Sequence, residues 1–395
     1  MKKTIKAILP LGYKANGLYC GIKKSGKPDL GVIFSQKPAK AAGLFTTNKI
    51  VSGSIKLSRI NLRQSQSFRA IIVNSGNANC STPPDRQSKT KMSAAGNNND
   101  SPLRKAQDIA AELAGLLKIK RQEILFASSG IIGRPLPIAR IKTSLPDLIK
   151  DLSKSGLTKV ARAIITTDTF VKTSKRVISI ANTPVTICGM AKGAGMIAPN
   201  LATMLCFILT DANITRGALQ TALKGAVEES FNCITVDGCM STNDTVFIMS
   251  NSCAGNPEIQ KGNRDFKKFF YTLLSVCLDL AKMIVRDAEG ATKFIQIRVK
   301  QAKSFKEAKR VALSIANSNL FKAAMFGSSR NLGRIVAAVG ASGIEVKEQN
   351  LRLSVSSLNK KDIYVEVGLG RGRRQATVYT SDLTPEYVKI NAQYN

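Results

Sequence analysis

The sequence predicts an α+β fold, either a plain α+β arrangement or a layered α/β/β/α sandwich. Apolar runs typical of strands lie at both ends of the chain, and amphipathic helical patterns are grouped between them. Strands and helices do not alternate, so a doubly wound parallel sheet is not favoured. Apolar residues make up 44% of the 395 residues, which excludes wholesale disorder.

The strand predictions rest on short apolar runs that are cut by Gly and turn residues. Near the amino terminus they cover residues 30–34, 41–45 and 70–73. A buried strand is expected over 204–209, and an alternating strand over 363–367. Residues 81–102 are polar and rich in Pro, Asn and Ser, which predicts a surface loop.

Four amphipathic helices are predicted between these strands. The first has Ser101 as its N-cap and Pro102 in its first turn, and the others span about 215–231, 265–287 and 304–325. The expected apolar faces of the first two helices comprise Ile109, Leu113, Leu116 and Leu117, then Leu219, Leu223, Val227 and Phe231.

The charge of the chain is unusual, because 59 Lys and Arg against 26 Asp and Glu give a net charge of +33. The basic residues are scattered in ones and twos, and only 6% of residues are aromatic. This pattern favours solvated lysines over a dedicated nucleic-acid surface. The chain has no histidine, which excludes Ser-His-Asp, Cys-His and His-ligated metal mechanisms.

The eight cysteines show no C-x-x-C spacing, so neither a zinc ribbon nor a redox dithiol is indicated. Scattered thiols are typical of buried small side chains in a reducing compartment. The basic start of the chain is followed by an apolar stretch of residues 7–11 only, too short for a signal peptide. We therefore expect a cytoplasmic protein without a membrane span.

The segment KGAGMIAPNLATML, residues 192–205, contains the strongest candidate for a reactive group. Gly193, Gly195 and Pro199 predict a tight loop whose backbone can approach a ligand. Thr203 follows this loop and opens an apolar run, which is a plausible position for a nucleophile. An ordinary loop-to-strand turn explains the same pattern.

A threonine nucleophile needs a general base, and this chain has no histidine to supply one. The α-amine of the nucleophile itself can serve, because its ordinary pKa of about 7.7–8.0 suits proton transfer near neutral pH. That mechanism requires cleavage of the chain before Thr203. Lys192 is not part of a phosphate P-loop, and it could pair with a substrate carboxylate.

The segment KGAGMIAPNLATMLCFILTDA resembles the signature of the ornithine acetyltransferase family, the glutamate N-acetyltransferases of arginine biosynthesis. Supporting strings in the family's order include VNSGNAN, ASSGIIG, ITTDT, SFNCITVDG, VRDAEGATK and SDLTPEYVKINAQY. The resemblance implies self-cleavage between Ala202 and Thr203. It would yield an α chain of residues 1–202 and a β chain of residues 203–395.

The resemblance also implies roles for individual residues. Thr203 corresponds to the nucleophile, and Ser129 and Gly130 correspond to the oxyanion donors. The positions that contact substrate are Thr166, Lys192, Thr203, Glu289 and Asn391. Lys192 would neutralise a carboxylate and Glu289 would hold an ammonium group.

The chain departs from the family pattern at several positions. Cys239 and Met240 stand where Asp and Thr are usual, and Ser329 and Leu332 alter a second motif. Ser129 replaces a threonine and keeps its hydroxyl. The sequence ends at Asn395, without a counterpart of the family's final Ser/Thr contact.

The activity implied is transfer of acetyl from N2-acetylornithine to glutamate through an ester on Thr203, with no cofactor. Some members of the family also use acetyl-CoA. The implied fold is the layered sandwich resembling N-terminal-nucleophile hydrolases, and the cleaved chains would form a heterotetramer of two α and two β. Two alternatives stay open: a self-processing threonine amidase or aminopeptidase, and a basic protein that binds nucleic acid.

Overall fold

The computed structural model describes residues 9–81, 101–198 and 204–393. Within these ranges the strands form two sheets of different size. The strands are β1 (Tyr13–Leu18), β2 (Leu30–Phe45), β3 (Phe68–Asn77), β4 (Ile124–Ile131), β5 (Lys172–Ile180), β6 (Thr183–Lys192), β7 (Leu205–Thr210), β8 (Thr245–Ser250), β9 (Phe294–Ala302), β10 (Arg352–Val355), β11 (Asp362–Gly368) and β12 (Arg374–Ser381).

The described residues also form helices. They are α1 (Gly53–Gln64), α2 (Pro102–Leu117), α3 (Ile138–Lys150), α4 (Leu157–Ile164), α5 (Arg216–Glu228), α6 (Arg264–Arg286), α7 (Phe305–Ala316), α8 (Asn319–Phe326), α9 (Gly333–Gly340) and α10 (Pro385–Gln393). None of the helices in the described ranges has the length and apolar character needed to cross a membrane.

The larger sheet has the strand order β4-β3-β2-β8-β7-β6-β5, with β1 paired to β2. Strand β2 joins its two halves, because Leu30 to Phe34 pair with β3 whereas Lys40 to Phe45 pair with β8. The register shifts between Phe34 and Ala39. An irregularity of this kind bends a strand, and the side chains of the two halves meet in one core that contains Ile71, Val73, Phe207 and Phe247.

Helices cover both outer faces of the folded sheet. Leu113 of α2 and Leu145 of α3 pack against Ile72 and Phe126 of the first half. Leu219 of α5 and Leu273 of α6 belong to a core with residues of β6 and β7. The order of layers is therefore α/β/β/α. The sequence left open a plain α+β arrangement and a layered sandwich, and the layered sandwich is confirmed.

A second, four-stranded sheet has the order β10-β11-β9-β12 and carries its own core. Strand β11 alternates as predicted, with Ile363 and Val367 fully buried and Tyr364 52% exposed. Helix α7 covers this sheet, and Val311 and Ile315 lie in its core. The sequence predicted the strand and the helix but not a separate sheet.

Several element predictions are confirmed in detail. The Ser101 hydroxyl accepts the backbone N–H of Arg104 at 3.2 Å, and Pro102 begins α2. Thr215 caps α5 in the same way. The expected strand after residue 203 is β7, and all of its residues are buried.

Three predictions were wrong. The segments 30–34 and 41–45 are strands as predicted, but they belong to one strand, because the irregularity after Phe34 does not end the pairing of β2. The helix expected over 304–325 is two helices, because the Ser318 hydroxyl accepts the N–H of Phe321 and starts α8. Leu116 is 40% exposed and does not belong to the core face. Residues 82–100 of the expected surface loop lie outside the described residues.

Candidate active site

Six residues predicted from the sequence line one small cleft of about 100 Å³. They are Ser129, Gly130, Thr166, Lys192, Glu289 and Asn391. The described lining is completed by Ile132, Thr167, Gly195, Met196, Ser241 and Asn243. Segments far apart in sequence therefore converge here, at the ends of β4 and β6 and beside α6 and α10.

The remaining predicted positions, Ala202 and Thr203, lie outside the described residues. The chain directly after them runs beside Lys192, which lines the cleft. Leu205, the first residue of β7, pairs with Lys192, the last residue of β6. The N–H of Met204 donates to Oδ1 of the fully buried Asp244 at 2.8 Å.

The end of β4 carries the predicted oxyanion donors. Gly130 has φ of +134° and pairs with Gly76 of β3. A Cβ at Gly130 would lie 2.3 Å from the carbonyl carbon of Gly76, so only glycine fits this close approach. The amide of Asn243 donates to the carbonyls of Ala78 and Ser128, both at 2.7 Å, and this holds the end of β4 in place.

Lys192 is buried and lines the cleft. Its Nζ donates to the hydroxyl oxygen of Ser129 at 3.1 Å. Burial lowers the pKa of Lys192, and the carboxylate of Asp168 opposes this effect. The lysine thus lies against a predicted oxyanion donor and within the field of a buried acid.

Asp168 connects two of the predicted substrate segments, and sequence reasoning did not single it out. Its carboxylate accepts the N–H of Thr166 at 3.0 Å, the N–H of Gly193 at 2.7 Å and the ammonium of Lys172 at 2.7 Å. Burial alone would raise its pKa, but Lys192, Lys172 and the Gly193 N–H lower the pKa to about 2. Asp168 is therefore a carboxylate throughout the physiological range.

Asp287 extends this network to the segment that carries Glu289. It is the C-cap of α6, and its buried carboxylate accepts the ammonium of Lys172 and the N–H of Thr169. The side chains of Lys172 and Asp168 are fully buried. Loss of one member of this buried ion group should destabilise the fold, because it would leave a buried charge unpaired.

Glu289 lies two residues after Asp287. Its N–H donates to the carbonyl of Ala194 at 3.0 Å, and its Oε2 accepts the amide of Asn391 at 2.8 Å. The acidic part of the cleft is thus built from α10 and the turn after α6, and Lys192 lines the same cleft.

Asp237 anchors the glycine-rich loop and was also missed. Its carboxylate accepts the N–H groups of Met196 at 2.6 Å and Ile197 at 2.9 Å, and the hydroxyl of Tyr387 at 3.1 Å. Burial and the nearby Asp237 raise the pKa of Tyr387. The only signal in the sequence was a VDG turn, which on its own is too common to identify an anchor.

Four of the departures from the family pattern, at Cys239, Met240, Ser329 and Leu332, lie outside the described lining of the cleft, whereas Ser129 lies within it. Cys239 is exposed, and its N–H donates to Asp237 at 3.1 Å. Met240 is 38% exposed. Ser329 and Leu332 lie between α8 and α9. The charged groups of the cleft are therefore retained.

The arrangement has the features of a site for acyl transfer to an amino acid. A cation, Lys192, and an anion, Glu289, line the same small cleft, which suits a substrate with both a carboxylate and an ammonium group. The Ser129 hydroxyl lies beside the cation and Gly130 follows it in the chain, so donors are available where an oxyanion can be stabilised.

Comparison with known proteins gives the same picture. Residues 14–359 and 352–395 match the ArgJ family. The arginine biosynthesis bifunctional protein ArgJ of Geobacter sulfurreducens is 42% identical over 97% of this chain and 98% of its own length. The protein of the same description from Staphylococcus epidermidis is 39% identical, over 98% and 97%.

Two solved structures are also similar. A crystal structure of the ArgJ bifunctional protein of Bacillus halodurans is 39% identical, with a TM-score of 0.46, and covers 48% of this chain and 98% of that chain. The ornithine acetyltransferase of Mycobacterium tuberculosis, complexed with ornithine, is 28% identical, with a TM-score of 0.40 over 50% and 95%.

The fold, the cleft and the full-length relatives together define an acyltransferase with a layered α+β fold. More specifically, the chain belongs to the ArgJ family, which comprises bifunctional enzymes of arginine biosynthesis.

Proposed function

We propose that the protein transfers acetyl from N2-acetylornithine to glutamate through an ester on Thr203, after cleaving itself between Ala202 and Thr203. The observation that carries this proposal is the convergence of six predicted residues on one cleft. Lys192 and Glu289 supply opposite charges within it, as an amino-acid donor and an amino-acid acceptor both require.

In the first half-reaction the Thr203 hydroxyl attacks the acetyl carbonyl, and the α-amine of Thr203 takes the proton. The oxyanion is stabilised by the Ser129 hydroxyl and the Gly130 N–H. A charged Lys192 can only donate to Ser129, so the hydroxyl hydrogen of Ser129 stays free for the oxyanion. This division of donors supports the roles proposed for Ser129 and Lys192.

Ornithine then leaves and glutamate enters the same cleft. Its amine attacks the threonine ester, and acetylglutamate is released. Thr166 and Asn391 contact the substrate in this proposal, and Asn391 also orients the Glu289 carboxylate through its hydrogen bond of 2.8 Å. Each step uses groups of the chain and of its substrates, so no cofactor is proposed.

The two products of cleavage are expected to stay together. Strand β6 lies in residues 1–202 and β7 in residues 203–395, and they pair from Ile187 with Thr210 to Lys192 with Leu205. Strand β2 pairs with β8 in the same sheet. We propose an α and a β chain that share this sheet and assemble as a heterotetramer of two α and two β.

We also propose that the protein acts in the cytoplasm. All eight cysteines are free thiols, and most of them are buried. A reducing compartment keeps such thiols unpaired. Acetyl-CoA is a second acetyl donor in this proposal.

The test is incubation of the purified protein with N-acetylornithine and glutamate, followed by mass spectrometry. We expect N-acetylglutamate in equal amount to ornithine, and parallel lines in double-reciprocal plots, because the acetyl-enzyme forms before glutamate binds. Release of acetate without N-acetylglutamate would assign the protein to the threonine amidases and aminopeptidases.

The nucleic-acid alternative has a separate test. Filter binding across a salt series would show an affinity that falls steeply with salt if phosphate contacts carried the function. We expect the protein to retain nucleic acid only weakly on the filter, and we expect no competition between nucleic acid and N-acetylornithine.

A further inference from the structure

The glycine-rich loop contains a strained residue close to the end of its described part. Met196 has φ of +55°, in the left-handed region that residues with a side chain rarely occupy. Its side chain is exposed, so packing of that side chain in the core does not hold the backbone in this conformation. Strain of this kind persists where neighbouring groups fix it, and it is concentrated at functional sites.

Asp237 supplies the contacts that fix the backbone of Met196. The N–H of Met196 donates to Oδ2 of Asp237 at 2.6 Å, and the N–H of Ile197 donates to Oδ1 at 2.9 Å. Successive N–H groups that converge in this way form a concavity that binds an anion. Hydrogen bonds to a charged acceptor are roughly twice as strong as neutral ones, which offsets the cost of the left-handed conformation.

The residues beside Asp237 hold the next peptide unit of the loop. The carbonyl oxygen of Ile197 accepts three hydrogen bonds from this segment. The donors are the N–H of Val236 at 2.9 Å, the N–H of Gly238 at 3.3 Å and the hydroxyl of Thr235 at 3.1 Å. The segment around Asp237 lies in the proposed β chain, so the β chain holds the last well-anchored turn of the proposed α chain.

A second carboxylate holds the chain on the other side of the proposed cleavage point. The N–H of Met204 donates to Oδ1 of Asp244 at 2.8 Å, and Asp244 is fully buried. Asp237 and Asp244 belong to the same connection between α5 and β8. Residues 198–203 therefore join two fixed points of the backbone, and the bond that is proposed to be cut lies among them.

We propose that Asp237 is a positioning residue for self-cleavage, because it holds Met196 in the left-handed conformation and so fixes the upstream end of the segment that is cut. This inference rests on the proposed function, since it concerns the cleavage between Ala202 and Thr203. Fixing both ends of a short segment reduces the number of conformations that the segment samples. A reaction between neighbouring groups of that segment becomes faster when their geometry is arranged beforehand.

The cleavage step itself uses groups of the chain and water. The Thr203 hydroxyl attacks the carbonyl carbon of Ala202, whose bond to nitrogen breaks as a bond to oxygen forms, and the hydroxyl proton ends on the new α-amine. Water then hydrolyses the ester, which leaves a carboxyl group on Ala202 and restores the hydroxyl of Thr203. Asp237 exchanges no proton in either step, so its loss should slow cleavage without moving the cleavage point.

A time course of cell-free synthesis, followed by mass spectrometry, tests the role of Asp237. Asp237→Ala should slow cleavage by at least about tenfold, because Met196 then has to adopt the left-handed conformation without the carboxylate. The fragments should still be 1–202 and 203–395.

A double-mutant cycle separates this role from a general loss of stability. In the Met196→Gly background, Asp237→Ala should slow cleavage by less than about threefold, because glycine adopts a positive φ readily. An equal effect of Asp237→Ala in both backgrounds would show that Asp237 supports the fold as a whole. That result would overturn the role through Met196.

Tyr387→Phe is the matched control for Asp237→Ala. The Tyr387 hydroxyl donates to Oδ2 of Asp237 at 3.1 Å, so this variant removes one partner of the carboxylate and keeps both of its bonds to the loop. It should change the cleavage rate by less than about twofold, because the contact that holds Met196 remains. A loss equal to that in Asp237→Ala would assign the effect to α10 and overturn the inference.

Two variants of Met196 test the backbone while Asp237 stays intact. Valine is β-branched and strongly disfavours a positive φ, whereas asparagine tolerates it. Met196→Val should therefore cleave at least about tenfold more slowly than Met196→Asn. Equal rates in these two variants would overturn the inference, and this comparison decides the matter even if Asp237→Ala does not fold.

The wild type, synthesised in the same way, separates this inference from the proposed function. If the wild type is cut between residues 202 and 203 and Asp237→Ala is cut equally fast, the role of Asp237 is overturned and the proposed function stands. A wild type that stays uncut would overturn the proposed cleavage and the role of Asp237 together.

Discussion

The carboxylate of Glu289 lies directly against the α-carbon of Gly195. A Cβ built on Gly195 would come within 2.2 Å of Oε2 of Glu289. The absence of a side chain at residue 195 is therefore what lets Glu289 reach into the cleft and accept the amide of Asn391.

Gly195→Ala should displace the Glu289 carboxylate and weaken substrate binding. We expect kcat/KM for N-acetylornithine to fall by at least about tenfold, equivalent to loss of one charge-assisted hydrogen bond. Gly115→Ala is the control, since Gly115 lies within α2 with open space around its α-carbon. It should stabilise the protein by about 0.5–1 kcal/mol and leave kcat/KM unchanged. Equal activity in both variants would contradict the proposed role of Glu289.

Asp168→Asn tests the buried network through the charge of Lys192. The Asp168 carboxylate opposes the effect of burial on the Lys192 pKa, so its loss should lower that pKa further. The alkaline decline of kcat/KM should then begin at lower pH than in the wild type. Asp279→Asn breaks a half-exposed ion pair with Arg176 instead and should cost less than about 1 kcal/mol of stability. An unshifted pH profile in Asp168→Asn would contradict the coupling.

The same carboxyl group predicts a loss of stability in acid. Its pKa in the folded protein is about 2, below the ordinary value of 3.8. The folded state therefore gains stability from Asp168 above about pH 4 and loses it as the pH falls towards 2. This difference amounts to roughly 2 kcal/mol. Urea unfolding at several pH values should show that the difference in free energy of unfolding between wild type and Asp168→Asn shrinks over this range. A difference that stays constant with pH would contradict this prediction.

Asp244 should support self-cleavage by holding the amide that follows Thr203. Burial raises the pKa of Asp244, against the opposing effects of the Met204 N–H and Lys192. Asp244→Asn retains an acceptor and should fold and cleave. Asp244→Ala leaves the Met204 N–H unpaired, which costs about 1–3 kcal/mol, and it should slow cleavage in a time course followed by mass spectrometry. Wild-type cleavage in Asp244→Ala would contradict this role.

The sequence predicted those parts of the fold that local patterns determine. Ser101 and Pro102 start α2 as expected because an N-cap needs only its own neighbours. The joining of 30–34 with 41–45 depends on pairing with β3 and β8, which lie far away in sequence. The break at Ser318 was missed because the apolar pattern continues across it.

Residues of the candidate site could be predicted where they match a family motif. The residues that support them could not be predicted. Lys192 and Glu289 were predicted to contact substrate, and the structure brings both into the lining of one cleft. Asp168, Lys172 and Asp287 were missed because their pairing is visible only after β5 and α6 are packed together. The spacing of Asp168 and Lys172 alone resembles an ordinary surface ion pair.

Thr203→Ala addresses the central mechanism, because one hydroxyl is proposed both to cut the chain and to carry the acetyl group. Loss of that hydroxyl should abolish both events together. Thr203→Ser is the control, since it keeps the hydroxyl and should still cleave and transfer, more slowly because the methyl group that restricts its rotamer is gone.

The most direct measurement is therefore the intact mass of the purified wild type and of Thr203→Ala. The wild type should give two fragments, 1–202 and 203–395, and the smaller fragment should begin Thr-Met-Leu-Cys. Thr203→Ala should remain one inactive chain of about 42.5 kDa. A fully active wild type that stays uncut, or a fragment that begins at another residue, would show that Thr203 is not the nucleophile.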